Sequence, residues 1–225
     1  MRELRELMAE CATLLARASI DGVFMGGATI PLHLEPDLAV DFRGTDDVDC
    51  VFACDSYIAY HQATQRLLAL GFDPDPEGPI CRLTRGPLVL DLMPSDPTVL
   101  GFANRWYKLA VQSPVETEIS GVTIRMFRVE HLLATKVEAF GSRGADDHYA
   151  SHDMEDIVTL LDGAGTQLEL GIERADSELR LFIQAFLRAL LDMKYVDDVL
   201  EAHLPGERRV HRHAIKERIR AILAI

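Results

Sequence analysis

The stretch Asp47-Val48-Asp49-Cys50-Val51-Phe52 constrains the fold of this chain more than any other. In an extended strand successive side chains point to opposite faces, so Asp47 and Asp49 share one face while Val48, Cys50 and Phe52 take the other. The apolar face has to rest on a core. The paired acids then stand opposite, either as an ordinary solvent-facing edge or as part of a site.

Asp91 adds a second constraint. It stands alone within Leu88-Val89-Leu90-Asp91-Leu92-Met93, a run otherwise suited to a buried strand. A carboxylate buried without a partner is costly, so Asp91 is expected to be paired, hydrogen-bonded or bound to a cation. If its strand lies beside the Asp47 strand, three carboxylates converge, and such an oxygen-only set suits Mg²⁺. Gly26-Gly27 offers a phosphate site, because glycines after the short strand Val23-Phe24-Met25 let backbone amides approach a ligand; Thr29 adds a hydroxyl. A helix expected to begin within Ala28 to Leu34 would point its N-terminal amides at the same anion. A strand-to-helix turn uses glycine in any case.

A chain of 225 residues, 48% of them hydrophobic, can bury a sizeable core. Apolar positions at helical spacing open it from Arg2 to Ala18, and a second helix is expected from Ser56 to Leu70, stopped by Gly71. Turn formers fill Asp73 to Pro79. Ile80 to Thr84 and Pro87 to Met93 then read as a hairpin around Arg85-Gly86, with a further strand at Val122 to Phe127. From Val129 onward the pattern is helical almost throughout. The fold class is therefore α+β: a mixed α/β sheet with flanking helices over residues 1–128, followed by a C-terminal helical region over 129–225.

The net charge of −13 argues against broad binding to a phosphate backbone, which needs clustered Lys and Arg. The stretch Glu207 to Arg220 is locally basic, however, and reads either as a surface for RNA or an acidic partner or as a solvated helix face. No signal peptide or membrane anchor is readable at the N-terminus, and the cytoplasm is the expected compartment. The four cysteines, Cys11, Cys50, Cys54 and Cys81, form no CxxC pair, and Cys50 and Cys81 sit among apolar residues where buried thiols are common.

Met25-Gly26-Gly27-Ala28-Thr29 followed by Arg43-Gly44-Thr45-Asp46-Asp47-Val48-Asp49 resembles the GG and R-x-T-x-D-[hydrophobic]-D signatures of polymerase-beta-like nucleotidyltransferases. Within that superfamily the chain is most similar to the branch holding AbiEii-type toxins and related small bacterial proteins. The resemblance is specific over about residues 23 to 93. It implies that Asp47, Asp49 and Asp91 bind Mg²⁺ against a nucleoside triphosphate. It also implies transfer of a nucleoside monophosphate to an acceptor, either an RNA such as a tRNA 3′ end or a small molecule such as an antibiotic, and a possible antitoxin protein as partner. One departure is Ala28, where many members carry serine. A non-catalytic nucleotide-binding protein that keeps the same fold is the alternative.

In the helical region Val129, Leu132, Leu133, Val137 and Phe140 share a face, and Lys136 falls close to that stripe. A lysine pointed inward needs an anion; a lysine that snorkels to the surface does not. Arg143 follows at i+7 and reaches the same side if the helix continues. By the resemblance Lys136 binds triphosphate oxygens, Asp153 orients the lysine or the acceptor hydroxyl, and the helical domain completes the cleft. The competing account of Asp153 is a helix N-cap with Asp156 at the capping-box position. His148 and His152, spaced i, i+4, offer a weak transition-metal pattern without an obvious third ligand.

Overall fold

The computed structural model describes residues 2–39, 44–143 and 147–225. The chain falls into two compact units, Met1–Thr29 with Arg43–Arg128, and Ile30–Phe42 with Val129–Ile225.

The first unit opens with α1 (Arg2–Arg17), which buries Met8, Cys11, Leu14 and Leu15 along one face, as their spacing requires. Strand β1 (Gly22–Met25) leads into a 3₁₀ helix (Gly27–Leu32). This tighter turn replaces the longer helix expected there, and Pro31 supplies the reason. Proline has no N–H to bond back four residues, whereas the observed bonds from Thr29 N to Gly26 O and from His33 N to Ile30 O span three residues and pass around it. Then come β2 (Asp47–Phe52), α2 (Tyr57–Leu68), β3 (Asp73–Pro74), β4 (Arg82–Arg85), β5 (Leu88–Pro94), the short helices α3 (Pro97–Leu100) and α4 (Tyr107–Ala110), β6 (Val115–Ile119) and β7 (Val122–Met126). Ser56 caps α2 by accepting from Ala59 N, and Gly71 lies beyond its end with φ of 90°.

Among the described residues these strands form one seven-stranded sheet in the order β3-β4-β5-β2-β1-β7-β6. It is mixed: β2 runs parallel to β5 and β1 parallel to β7, while the β1–β2, β4–β5 and β6–β7 pairs are antiparallel. Two strands depart from expectation. Asp73-Pro74 pairs with Leu83 and Thr84 instead of being wholly turn. β6 was legible in principle, since Val-Glu-Thr-Glu-Ile alternates, and Ser120 and Gly121 carry the positive φ values of a tight hairpin turn.

The second unit is helical: α5 (Val129–Arg143), α6 (His152–Gly163), α7 (Thr166–Arg174), α8 (Ser177–Leu191), α9 (Val196–His203), a 3₁₀ turn (Gly206–His211) and α10 (Arg212–Leu223). Leu160, Leu161, Leu168, Ile172, Leu179, Ile183, Leu187 and Ile219 are fully buried, each contributing about 1.5–3 kcal/mol by leaving water. Glu35 of the Ile30–Phe42 segment donates its N–H to Gly163 O at 2.8 Å. Among the described residues no helix is long and apolar enough to cross a membrane. All four cysteines are free and buried. Burial pushes the Cys11 thiol up to about 12 and, with help from Asp91, that of Cys81 up to about 11.

Candidate active site

The central strands of the sheet set the geometry. On β2, Val48 and Cys50 go into the core and Asp47 and Asp49 take the other face. On β5, Leu88, Leu90 and Leu92 are fully buried on one side, which turns Val89, Asp91 and Met93 to the other. The two strands are parallel with Asp49 opposite Asp91 and Asp47 opposite Val89. Residues paired across a sheet share a face, so all three acids stand on one face and two of them are direct neighbours.

The glycine turn lies against the same place. Met25 pairs with Asp49, and Gly26 follows with φ of 77°. A Cβ at Gly26 would collide with the Asp49 carboxylate, meeting Cγ at 2.6 Å. Glycine is therefore required twice over, by the left-handed backbone and by the acid's approach. Gly27 is different, since a Cβ there would rest at an ordinary 3.5 Å from Thr45. Thr29 is fully buried and its hydroxyl donates to Gly26 O at 3.0 Å, which holds the turn closed.

Arg82, to which the sequence reading assigned no role, binds the acids together. It sits on β4 opposite Asp91, and its guanidinium donates from Nε and Nη2 to the two Asp91 oxygens, each at 2.8 Å. Nη2 also donates to Asp47 Oδ2 at 2.9 Å. The remaining Asp47 oxygen accepts from the Thr45 hydroxyl at 2.6 Å. These bonds hold the guanidinium pKa above its ordinary value, chiefly through the hydrogen bond to Asp91. The buried Asp91 thus has the partner its burial demands. Among the described residues no three His, Cys, Asp or Glu side chains form a ready ligand cage; a single guanidinium nitrogen stands where oxygens of Asp47 and Asp91 meet. Thr45 was open to discovery by its place two residues before Asp47.

A second charged cluster is built wholly within the helical unit. Lys136 points inward from α5 and meets Asp156 Oδ2 at 2.5 Å and Asp153 Oδ1 at 3.6 Å. The snorkelling account of Lys136 is thereby set aside. So is the N-cap account of Asp153, because Ser151 caps α6 by accepting from Met154 N, and Asp153 lies buried in the first turn. Arg143 ends α5, with its side chain outside the described residues, as are all of Arg43 and Asp146.

The histidine pattern does not assemble. His148 packs its ring edge-on against Phe140 at 5.0 Å, while His152 faces Glu155. The basic C-terminal stretch is also spoken for: Arg208 and His211 bind Asp162, Arg212 binds Glu201, Lys216 binds Asp197, Arg218 binds Glu169 and Arg220 binds Glu217. Most of its cations pair with acids of the same chain, while Arg209, His213 and Arg220 remain exposed to solvent.

The sequence matches no family model and no curated protein. Among solved structures, an antigenic nucleotidyltransferase-like protein from Paracoccidioides brasiliensis is similar over 93% of this chain and 97% of its own, at 19% identity and a TM-score of 0.52. Two structures of the antibiotic-resistance factor ANT(2'')-Ia are more distant. Its solution structure covers 82% of this chain and 91% of its own at 14% identity and a TM-score of 0.49. Its complex with adenylyl-2''-tobramycin covers 84% and 99% at 13% identity and 0.48, and neither score carries weight. With the mixed sheet and its helical companion, the likeness to the fungal protein gives this chain a nucleotidyltransferase-like fold.

Proposed function

We propose that this chain is a Mg²⁺-dependent nucleotidyltransferase that moves a nucleoside monophosphate from a nucleoside triphosphate to an acceptor hydroxyl. The observation that carries the reading is the pairing of Asp49 with Asp91, with Asp47 on the same face and Gly26 against Asp49. The donor set fits a hard divalent ion: it is all oxygen, it comes from adjacent strands, and two of its carboxylates already converge on one positive group. Asp47, Asp49 and Asp91 would hold the ion, which when bound supplies the positive charge that offsets the phosphates. The amides of Gly26 and Gly27 receive the triphosphate, with Thr29 keeping their turn in shape. An Asp91 oxygen takes the proton of the acceptor hydroxyl as the acceptor's own oxygen bonds to the α-phosphorus and the bond to the departing pyrophosphate breaks. In the helical unit Lys136 is held by Asp156 and Asp153, so the reading asks no triphosphate contact of it.

Of the two acceptor classes, a small molecule is better supported than RNA, because the chain carries −13 overall and most cations of its basic stretch pair with acids of the same chain. A toxin held by an antitoxin partner is compatible with either. A nucleotide-binding protein without turnover draws on a specific observation, the engagement of two of the three acids by Arg82. One experiment separates these readings: incubation with each labelled triphosphate, Mg²⁺ and a panel of RNAs and small molecules. Label transfer that falls about a hundredfold or more in Asp49→Asn identifies the enzyme and its acceptor together. Triphosphate binding without transfer to any acceptor sinks the transferase reading.

A further inference from the structure

Arg82 is a cation built into the candidate metal site, and its geometry is specific. Its fork meets Asp91 squarely, and one of the same nitrogens reaches Asp47. A bidentate fork is what distinguishes guanidinium from a point charge such as ammonium. The three acids carry −3 and Arg82 brings the set to −2. Its partner Asp91 is buried, while Arg82 and Asp47 keep access to solvent. A divalent ion that took oxygens from both Asp47 and Asp91 would occupy the place that Nη2 now fills.

We propose that Arg82 is an internal stand-in for the divalent ion, a positioning residue that clamps Asp47 and Asp91 in the ion-free protein and is exchanged when the ion binds. The proposal rests on the reading of these acids as a divalent-ion site. The clamp keeps two like-charged side chains together and prevents Asp91 from being buried without a partner. It also makes the free protein a poor ligand for a bare ion, because two charge-assisted hydrogen bonds to Asp91 have to open first. Triphosphate oxygens suit the released guanidinium, so nucleotide and ion bind more readily together than either does alone.

The test uses Mn²⁺ without nucleotide, followed by the paramagnetic signal of the free ion, on the full chain and on Arg82→Gln and Arg82→Lys. Opening the clamp by Arg82→Gln is expected to tighten Mn²⁺ binding by about tenfold. Arg82→Lys, charged but unable to form the fork, should fall between. Mn²⁺ affinity in Arg82→Gln that is equal to or weaker than that of the natural protein overturns the proposal. Should Arg82→Gln fail to fold, the natural protein decides. Modification of Arg82 by phenylglyoxal, read by mass spectrometry, should rise when Mn²⁺ is added and not when NaCl of equal ionic strength is added. No rise overturns the exchange. The two readings part cleanly: tighter Mn²⁺ binding with no nucleotide transfer leaves the clamp and removes the transferase. Unchanged Mn²⁺ binding beside normal transfer does the reverse.

Discussion

Each unit of the molecule contains two aspartates sharing one basic side chain, and the two arrangements differ in how tightly they are sealed. In the sheet unit Arg82 and Asp47 retain 26% and 33% of their side-chain exposure, and the acids come from two strands of a sheet face. In the helical unit Lys136 keeps 12% and Asp156 none, and the partners lie on two packed helices. Water can take the place of Arg82 at Asp47, and Asp91 still keeps 11% of its side-chain exposure, whereas Asp156 has none. A charge pair of the first kind can be exchanged for a cation that enters from solvent, whereas one of the second kind is a structural lock whose opening strands a carboxylate with no access to water. That difference, more than the residue types, assigns ion chemistry to the sheet face.

The largest effect that tests the contrast is Lys136→Met. It leaves Asp156 and Asp153 without their cation and should cost about 3–5 kcal/mol in urea unfolding. Added Mn²⁺ should restore none of it. A loss below about 1 kcal/mol would bring the two clusters to the same footing. Next is Gly26→Ala, where the left-handed backbone and the collision with the Asp49 carboxylate together predict a loss of about 1–3 kcal/mol. Gly27→Ala serves as its control and should unfold like the natural protein, because a methyl there has room. Arg82→Gln ranks third, with about 1–2 kcal/mol lost in the absence of metal. Unlike the Lys136 variant, it should recover that stability when Mn²⁺ is added, and a failure to recover would mean that the sheet cluster is a lock too.

The alternation from Asp47 to Phe52 and the isolation of Asp91 in an apolar run were enough to put two acids on one face of a strand and the third within a buried strand, because both signals are local to one strand; that the two strands are neighbours was a condition, met by their pairing. Arg82 was not legible for a reason of register. The hairpin expected around Arg85-Gly86 would set Arg82 beside Val89. The actual two-residue loop is Gly86-Pro87, which pairs Arg85 with Leu88 and moves the partner of Arg82 by two residues to Asp91. The basic stretch misled in another way. Asp162 and Glu169, which take up Arg208 and Arg218, lie more than forty positions earlier, and pairing of that range is set by helix packing alone. The place of Lys136 beside the apolar stripe left an inward and a snorkelling side chain both open, and the choice between them came from its acids, of which Asp156, one turn beyond Asp153, is the closer.

The smallest effect expected is also the sharpest probe of exchangeability. Thr45 donates to Asp47 Oδ1 and thereby leaves Oδ2 aimed at Arg82. Valine matches threonine in shape, so Thr45→Val deletes a hydrogen bond without opening a void. Asp47 is one-third exposed and water takes over the lost bond. The stability cost should therefore be about 1 kcal/mol or less in urea unfolding. Mn²⁺ affinity should weaken by roughly fivefold, since an acid free to rotate presents its second oxygen less often. A cost approaching that of Lys136→Met would mean that Asp47 is held as rigidly as Asp156. The exposed cluster would then have to be regarded as a second lock, with no cation to exchange.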